Sequence, residues 1–445
     1  MSDILDLTLC EAAAEVARGA VIAHEITELA LARIAADPAA AACFNRLDAD
    51  GARAAIASLP STHTSAPFAG LALAHKDIFA LHGATVTLGA HPAFHLRTQA
   101  TAPAVARLAQ AGAINLGGLH LSEFAMGPAG FSSQYGLLEN PLDPARVTGG
   151  SSSGSAAAVA RGLAYGALGT DTGGSIRIPA AFCGVVGLKP SSALVPVTGV
   201  FPVSEAMDTV GPLARSVADC ARLLDVLTQS TRYERAARDG TPVRFGFVRP
   251  DNLPATPDDV IADGFADARV ALARAGHTVR DVAVDNLAEL AALGGMVFLS
   301  EAGETHGTRL REQLDLIGPQ VSERLLAGLT IPASLYLRAL RSRASHRARL
   351  AATLADVEVL VMPTAPALPP LRAIYDGKDT GEILALNGRL GAYTGAFSYL
   401  GVPAMSVPAP ARSGSLPIGL QVIANHGEDD IVLRAGALIE RCVRP

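Results

Sequence analysis

Three short segments of this 445-residue chain gather residue types that can do chemistry. Thr148-GGSSSGS-Ala156 and Gly169-TDTGGSIRIP-Ala180 pair glycines with serines, and Gly70-LALAHKDI-Phe79 runs from an apolar stretch into Lys76. Backbone N–H groups in glycine-rich turns can converge on an anion, because no side chain stands in the way. Phosphate binding and oxyanion stabilisation both use such a nest. Phosphate binding lacks its signature: neither segment carries the lysine of GxxxxGK[ST], and GxGxxG is not met. Gly150 to Gly154 formally matches the GxSxG elbow, but an elbow follows directly on a strand. The preceding residues, with Pro141 and Pro144, read as a loop. Two structural turns are the plain alternative, and the upstream lysine argues against it. A lysine on a buried strand must find a partner or lose its charge, and burial can turn it into a base. Pairing with Asp77 at the strand end is the competing reading of Lys76.

The elements around these segments alternate in type. Helices are expected at Leu7–Arg18, His24–Ala36 and Ala102–Ala111, and strands at Leu71–Ala74, Ile114–Gly117 and Tyr165–Thr170. A looser stretch, Ser58–Pro67, precedes the first strand, and Gly127–Thr148 reads as a loop ahead of a helix that ends near Gly162. In the second half, strands at Val243–Val248, Val279–Val284, Val357–Met362, Ala404–Val407 and Gly419–Ile423 alternate with helices at Pro257–Ala275, Asn286–Leu310, Gln320–Leu350, Asn387–Tyr399 and Ile431–Cys442. Such alternation predicts a layered α/β fold with a mostly parallel sheet. The polar stretch Gln229–Pro242 reads as a surface connection within one domain.

Composition narrows the function classes. With 49% hydrophobic and 18% charged residues, the chain can bury a large core, so global disorder is excluded. Aromatics at 4%, no Trp and a net charge of −6 argue against base-stacking platforms and a basic nucleic-acid face. The basic run Arg338 to Arg349 reads as the solvated face of a helix. The opening MSDILDLTLCEAAAEVARG lacks the pattern of a signal peptide, and no apolar stretch is long enough to span a membrane. Cys10, Cys43, Cys183, Cys220 and Cys442 are scattered, odd in number and without a CxxC pair, so reduced thiols and a cytoplasmic setting are expected. His91 and His95 stand four apart, but the glutamate of HExxH is missing and Pro92 disfavours a helix, so no metal is expected.

With these residues in view, the chain resembles the amidase signature family, hydrolases with a serine–cis-serine–lysine triad. The resemblance rests on Lys76-Asp77 after a hydrophobic strand, on Gly149-GSSSGSAAAV-Ala160 and on Ala167-LGTDTGGSIRIPAAFCGVVGLK-Pro190. It extends to Val361-MPTAPALP-Pro370, Tyr399-LGVPAMSV-Pro408 and Leu416-PIGLQVI-Ala424. It implies Ser175 as nucleophile, Ser151 as bridging serine after a cis bond from Gly150, and Lys76 as base. It implies an oxyanion hole from the N–H groups of Thr172, Gly173, Gly174 and Ser175. Asp171 and Arg177 would organise the glycine-rich loop, Ser152 and Ser153 would support it, and Thr170 and Asp77 would hold the lysine. The implied fold is a single domain over residues 1–445 with a mixed sheet between helical layers. Its catalytic core would lie at about 65–215, and its substrate-pocket and C-terminal part at about 240–445.

The implied activity is amide hydrolysis through an acyl-enzyme, with linear amides, aryl amides, carbamates (urethanes) or esters as substrates and no cofactor. An acyl pocket is expected within Met126–Tyr135 and Phe298–Leu337, whose apolar lean hints at a neutral or hydrophobic substrate. The implied partners are a small-molecule amide and a second copy of the chain, with no nucleic acid and no membrane. The alternative is the amidase (glutaminase) subunit of a tRNA-dependent amidotransferase, which passes ammonia to a partner. Members of that subgroup commonly carry Gln after the signature arginine, where this chain has Ile178. A silent scaffold is disfavoured because all three triad positions are filled.

Overall fold

The inner strands are largely apolar, and the short and edge strands also carry polar residues. The strands are Phe44–Leu47 (β1), Ala72–Lys76 (β2), Thr85–Val86 (β3), Leu96–Arg97 (β4), Ile114–Leu119 (β5), Gly166–Asp171 (β6), Val186–Lys189 (β7), Thr209–Ala214 (β8), Arg244–Val248 (β9), Thr278–Val282 (β10), Val359–Pro363 (β11), Ala404–Ala409 (β12) and Ile418–Ile423 (β13). The computed structural model describes residues 4–20, 22–59, 66–377, 379–411 and 416–443. Eleven of these strands make one sheet in the order β1-β5-β2-β6-β8-β7-β12-β13-β11-β9-β10, and β3 pairs with β4 apart from it.

The sheet is mixed and layered between helices, as the family resemblance implies. Its parallel pairing falls in two blocks, β5-β2-β6 and β11-β9-β10. Antiparallel strands lie between the blocks, and β7 pairs with β12 to join the two halves of the chain. Every residue of β2, β6, β8, β11, β12 and β13 is buried, which requires cover on both faces. One apolar cluster runs from Leu9 and Ile26 through Leu73, Leu168 and Leu213 to Leu420 and Leu433. The edge strand β10 is largely exposed and carries Arg280 and Asp281, charges that discourage further pairing.

Several elements differ from expectation. β1, β7, β8 and the helices Ala49–Ser58 and Arg232–Arg238 were not foreseen, and the last of these occupies the stretch read as a connection. The helix expected at Gln320–Leu350 is two, Pro319–Leu329 and Ala333–Thr353, because Pro332 cannot donate a backbone bond. The one expected at Asn286–Leu310 breaks at His306, and the one expected at Asn387–Tyr399 becomes Thr380–Leu390 and Gly395–Leu400. Of the looser stretch Ser58–Pro67, residues 60–65 lie outside the described residues. Among the described residues, no helix is long and apolar enough to cross a membrane.

Close approaches at glycine set two junctions that matter below. In the Ser153–Ala160 helix, a Cβ on Gly154 would stand 2.5 Å from the His120 amide nitrogen, so the helix N-terminus lies directly against the end of β5. The Leu287–Thr305 and Pro319–Leu329 helices cross where a Cβ on Gly328 would stand 2.0 Å from the Leu299 carbonyl oxygen.

Candidate active site

β2 and β6 are parallel neighbours, with His75 opposite Leu168, so their C-terminal ends reach one edge of the sheet together. That edge is where open α/β sheets place ligands. Lys76, the last residue of β2, is 1% exposed. Its Nζ lies 2.7 Å from Ser151 Oγ and 2.7 Å from Thr170 Oγ1. Burial lowers the Lys76 pKa to about 7, against the partial opposition of the Asp208 and Asp171 carboxylates. An amine in that range is a competent base at neutral pH.

Asp77 does not hold the lysine. Its carboxylate accepts from the Thr87 amide at 3.0 Å and the Thr87 hydroxyl at 2.6 Å. Successive strand side chains point to opposite faces, so His75 and Asp77 leave the side that Lys76 takes. His75 lies edge-on to Phe79 instead.

The serine run divides its tasks. The Gly150–Ser151 peptide bond is cis. A Cβ on Gly150 would stand 2.6 Å from the Gly130 nitrogen and 2.7 Å from Ser122 Oγ, so only glycine fits there. Ser151 alone of the three serines meets Lys76. Ser152 donates its hydroxyl to the Thr170 carbonyl at 3.3 Å and its amide to the Ser175 carbonyl at 3.1 Å. Ser153 Oγ pairs with His120 Nδ1 at 2.8 Å.

Ser175 stands on the glycine-rich loop after β6 and lines a cavity of about 370 Å³. Among the described residues no hydrogen bond joins its hydroxyl to Ser151; the two segments meet through the Ser152–Ser175 backbone bond. The loop is shaped by Asp171. Its carboxylate accepts from the Gly174 amide at 2.8 Å, the Ile176 amide at 3.2 Å and Arg177 Nη2 at 2.8 Å. Burial alone would raise the Asp171 carboxyl, but the Arg177 guanidinium outweighs it and holds the pKa down to about 2. Arg177 and Asp171 are both fully buried. Arg177 reaches on to the Thr394 carbonyl, Ser398 Oγ and Gln421 Oε1, tying the loop to the Gly395–Leu400 helix and β13.

This network corrects one member of the expected oxyanion set. The Gly174 amide is already bonded to Asp171, so it is not free for a substrate oxygen. Among the described residues no protein acceptor takes the amides of Thr172, Gly173 or Ser175. A Cβ on Gly173 would meet nothing within 4 Å, so that backbone is open to an approaching group.

The far wall of the cavity comes from the second half of the chain. Gly127 and Pro128 fall in the first stretch expected to line it, and Phe298 and Arg324 in the second. Residues between Ala291 and Gly295 and between Leu384 and Gly395 also line it and were not foreseen. Arg324 corrects the hint of a neutral lining. Its guanidinium lies over the Phe298 ring, 5.1 Å from the centroid, and burial lowers its pKa only to about 10, so it stays charged at pH 7. Among the described residues no carboxylate pairs with Arg324, and no acidic residue lines the cavity.

Sequence reasoning missed Arg324, Asp208, Thr394, Ser398 and Gln421. Gln421 gave a signal, as the one polar side chain in the apolar run IGLQVI. The others sit in ordinary helix or loop contexts.

Comparisons with known proteins give the family of the chain. A family model described as Amidase matches residues 25–433. A glutamyl-tRNA(Gln) amidotransferase subunit from Thermus thermophilus is 35% identical, over 97% of this chain and 96% of its own. The AtzE subunit of 1-carboxybiuret hydrolase from a Pseudomonas species is 32% identical, over 96% of each chain. A crystal structure of an amidase superposes with a TM-score of 0.88 at 32% identity, covering 98% of this chain and 100% of that one. These relatives overturn the expectation of a small-molecule partner without nucleic acid. Several of them are subunits of an amidotransferase named for glutamyl-tRNA(Gln).

Proposed function

The chain belongs to the amidase family, hydrolases acting on C–N bonds, and on that premise we propose that Ser175 attacks an amide carbonyl under general-base activation by Lys76 through Ser151. The 2.7 Å contact between Lys76 Nζ and Ser151 Oγ carries the reading. A neutral Lys76 keeps one N–H for Thr170 and offers its lone pair to the Ser151 proton. Ser151 in turn accepts the Ser175 proton as Oγ of Ser175 bonds to the carbonyl carbon. The oxyanion rests on the amides of Thr172, Gly173 and Ser175, each such donor being worth about 2.7–4 kcal/mol in other hydrolases. The relay returns the proton to the leaving nitrogen, and water then releases the acyl group. The first half of the chain thus supplies the reacting groups and the second half the acyl wall, the two acting as one unit.

The relatives favour the amidotransferase-subunit reading over a free-standing amidase, since both named relatives are subunits. In that reading the amide nitrogen of a linear amide such as glutamine leaves as ammonia for a partner. Arg324, a cation with no carboxylate partner among the described residues, supports an amide that carries a carboxylate. One observation favours a second reading, a hydrolase of anionic amides without an ammonium group: no acidic side chain among the described residues lines the cavity to receive one. Urethane and aryl-amide turnover would be secondary to either. Five free cysteines support a cytoplasmic setting.

Ammonia release from glutamine, glutaramate and butyramide tests these readings in wild type and Arg324→Met. Both anionic amides should outrun butyramide in wild type and lose that lead in Arg324→Met. Preference for glutamine selects the amidotransferase reading, and preference for glutaramate selects the second. Equal turnover of butyramide and both acids would remove the carboxylate assignment.

A further inference from the structure

β6 and β8 pair antiparallel, with Asp171 opposite Thr209 as their last register. The next residues outward, Thr172 and Asp208, therefore face each other at the edge that carries Lys76 and the loop of Ser175. Thr172 donates its hydroxyl to Asp208 Oδ1. Asp208 Oδ2 accepts from the Val203 amide at 2.8 Å and the Ser204 amide at 3.1 Å. Three donors around one carboxyl suit its ionised form, although burial pushes its pKa up. Among the described residues no cation pairs with it, in contrast to Asp171, which Arg177 neutralises at 2.8 Å.

We infer that Asp208 is a positioning residue of the reaction, holding Thr172 at the start of the glycine-rich loop and placing a carboxylate without an ion-pair partner among the described residues at the sheet edge that carries Lys76. This rests on the reading of Lys76, Ser151 and Ser175 given above. Two consequences follow. Thr172 supplies one of the proposed oxyanion amides, and its side-chain bond to Asp208 fixes where that amide points. Asp208 also favours the charged form of Lys76. The other charges near the lysine are accounted for: Asp171 is ion-paired, Asp77 lies on the opposite face of β2 with Thr87, and His75 beside it is held neutral by burial.

Asp208 is itself braced from the cavity wall. Glu301 of the Leu287–Thr305 helix accepts from Ser204 Oγ at 2.5 Å and from the Ala206 amide at 3.1 Å. Tyr336 of the Ala333–Thr353 helix donates to the same carboxylate at 2.8 Å. Met207 of the braced loop lines the cavity together with Phe298 of the Glu301 helix. Substrate seated on that wall is thereby referenced to the loop that carries the oxyanion donors.

The experiment compares pH profiles of kcat and kcat/KM for wild type, Asp208→Asn, Thr172→Val and Thr172→Ser, with Ser175→Ala as the inactive reference. Asparagine keeps the shape of the aspartate and removes its charge, so the acid limb should move to lower pH, because a neutral Lys76 becomes easier to form. Thr172→Val should lower kcat by about tenfold to a hundredfold, with KM and the acid limb unchanged, and Thr172→Ser should restore it. A purely structural Asp208 would change yield or melting temperature without moving the limb. An acid limb unmoved in Asp208→Asn overturns the inference. If that variant does not fold, full kcat in Thr172→Val overturns it. Activity surviving in Ser175→Ala would instead refute the underlying catalytic reading.

Discussion

In the proposed mechanism Ser175 has no strong base beside it, and its activation depends on a lysine that burial makes only weakly basic. Replacing Ser175 or Lys76, by Ala and Met respectively, should lower kcat/KM by roughly 10⁴-fold or more, the scale found for triad members of other hydrolases. Steady-state kinetics on the purified variants, each with a melting curve to show it is folded, checks this. The pH dependence follows from the sign of the Lys76 shift. The amine works when neutral and titrates at about 7, so kcat/KM should climb as pH rises through neutrality and then level off. A profile falling over that range would mean that Lys76 acts as an acid. The expected triad roles came from the family resemblance, because the local pattern alone left Lys76 open to pairing with Asp77 and the two glycine–serine segments open to being structural turns. Asp208 and Arg324 were not readable. A charged residue in a loop or on an amphipathic helix has the same local pattern whether it faces solvent or a cavity.

At the scale of elements, positions hang on backbone contacts that leave no room for side chains. Phe298 and Arg324 stack across two helices that cross at Gly328, where a Cβ would stand 2.0 Å from the Leu299 carbonyl oxygen. Gly328→Ala should force the helices apart, at a cost of about 1–3 kcal/mol. It should raise KM for anionic amides more than it lowers kcat; chemical denaturation and kinetics on the same sample read both. Unchanged KM with lowered stability would separate the helix crossing from the cavity wall. Strand and helix alternation showed the layers from sequence alone. The breaks at His306 and at Gly391 to Thr394 were less legible, because hydrophobic periodicity continues across them, whereas the break at Pro332 has a local cause that the reading of one long helix passed over. The short strand β7 and its partner β8 carry glycine or proline, which masks strand character until the sheet pairs them.

Across the whole molecule, the sheet passes without interruption from the half with the reacting groups to the half with the acyl wall, through the β7–β12 pair. Unfolding should therefore be one cooperative transition, with calorimetric and van't Hoff enthalpies equal; two resolved transitions would mean two independent units. Composition argued against nucleic acid, yet several relatives are subunits of an amidotransferase named for glutamyl-tRNA(Gln), and net charge and aromatic content do not register what a subunit's assembly binds. The central claim is that Ser175 is the nucleophile and that Lys76 makes it one. Its most direct test is to react the intact chain with a fluorophosphonate and locate the adduct by peptide mass mapping, in wild type and Lys76→Met. We predict a single adduct on Ser175 in wild type, forming faster as pH rises through 7, and almost none in Lys76→Met. An adduct on another residue, or equal labelling of Ser175 in both proteins, would contradict the account.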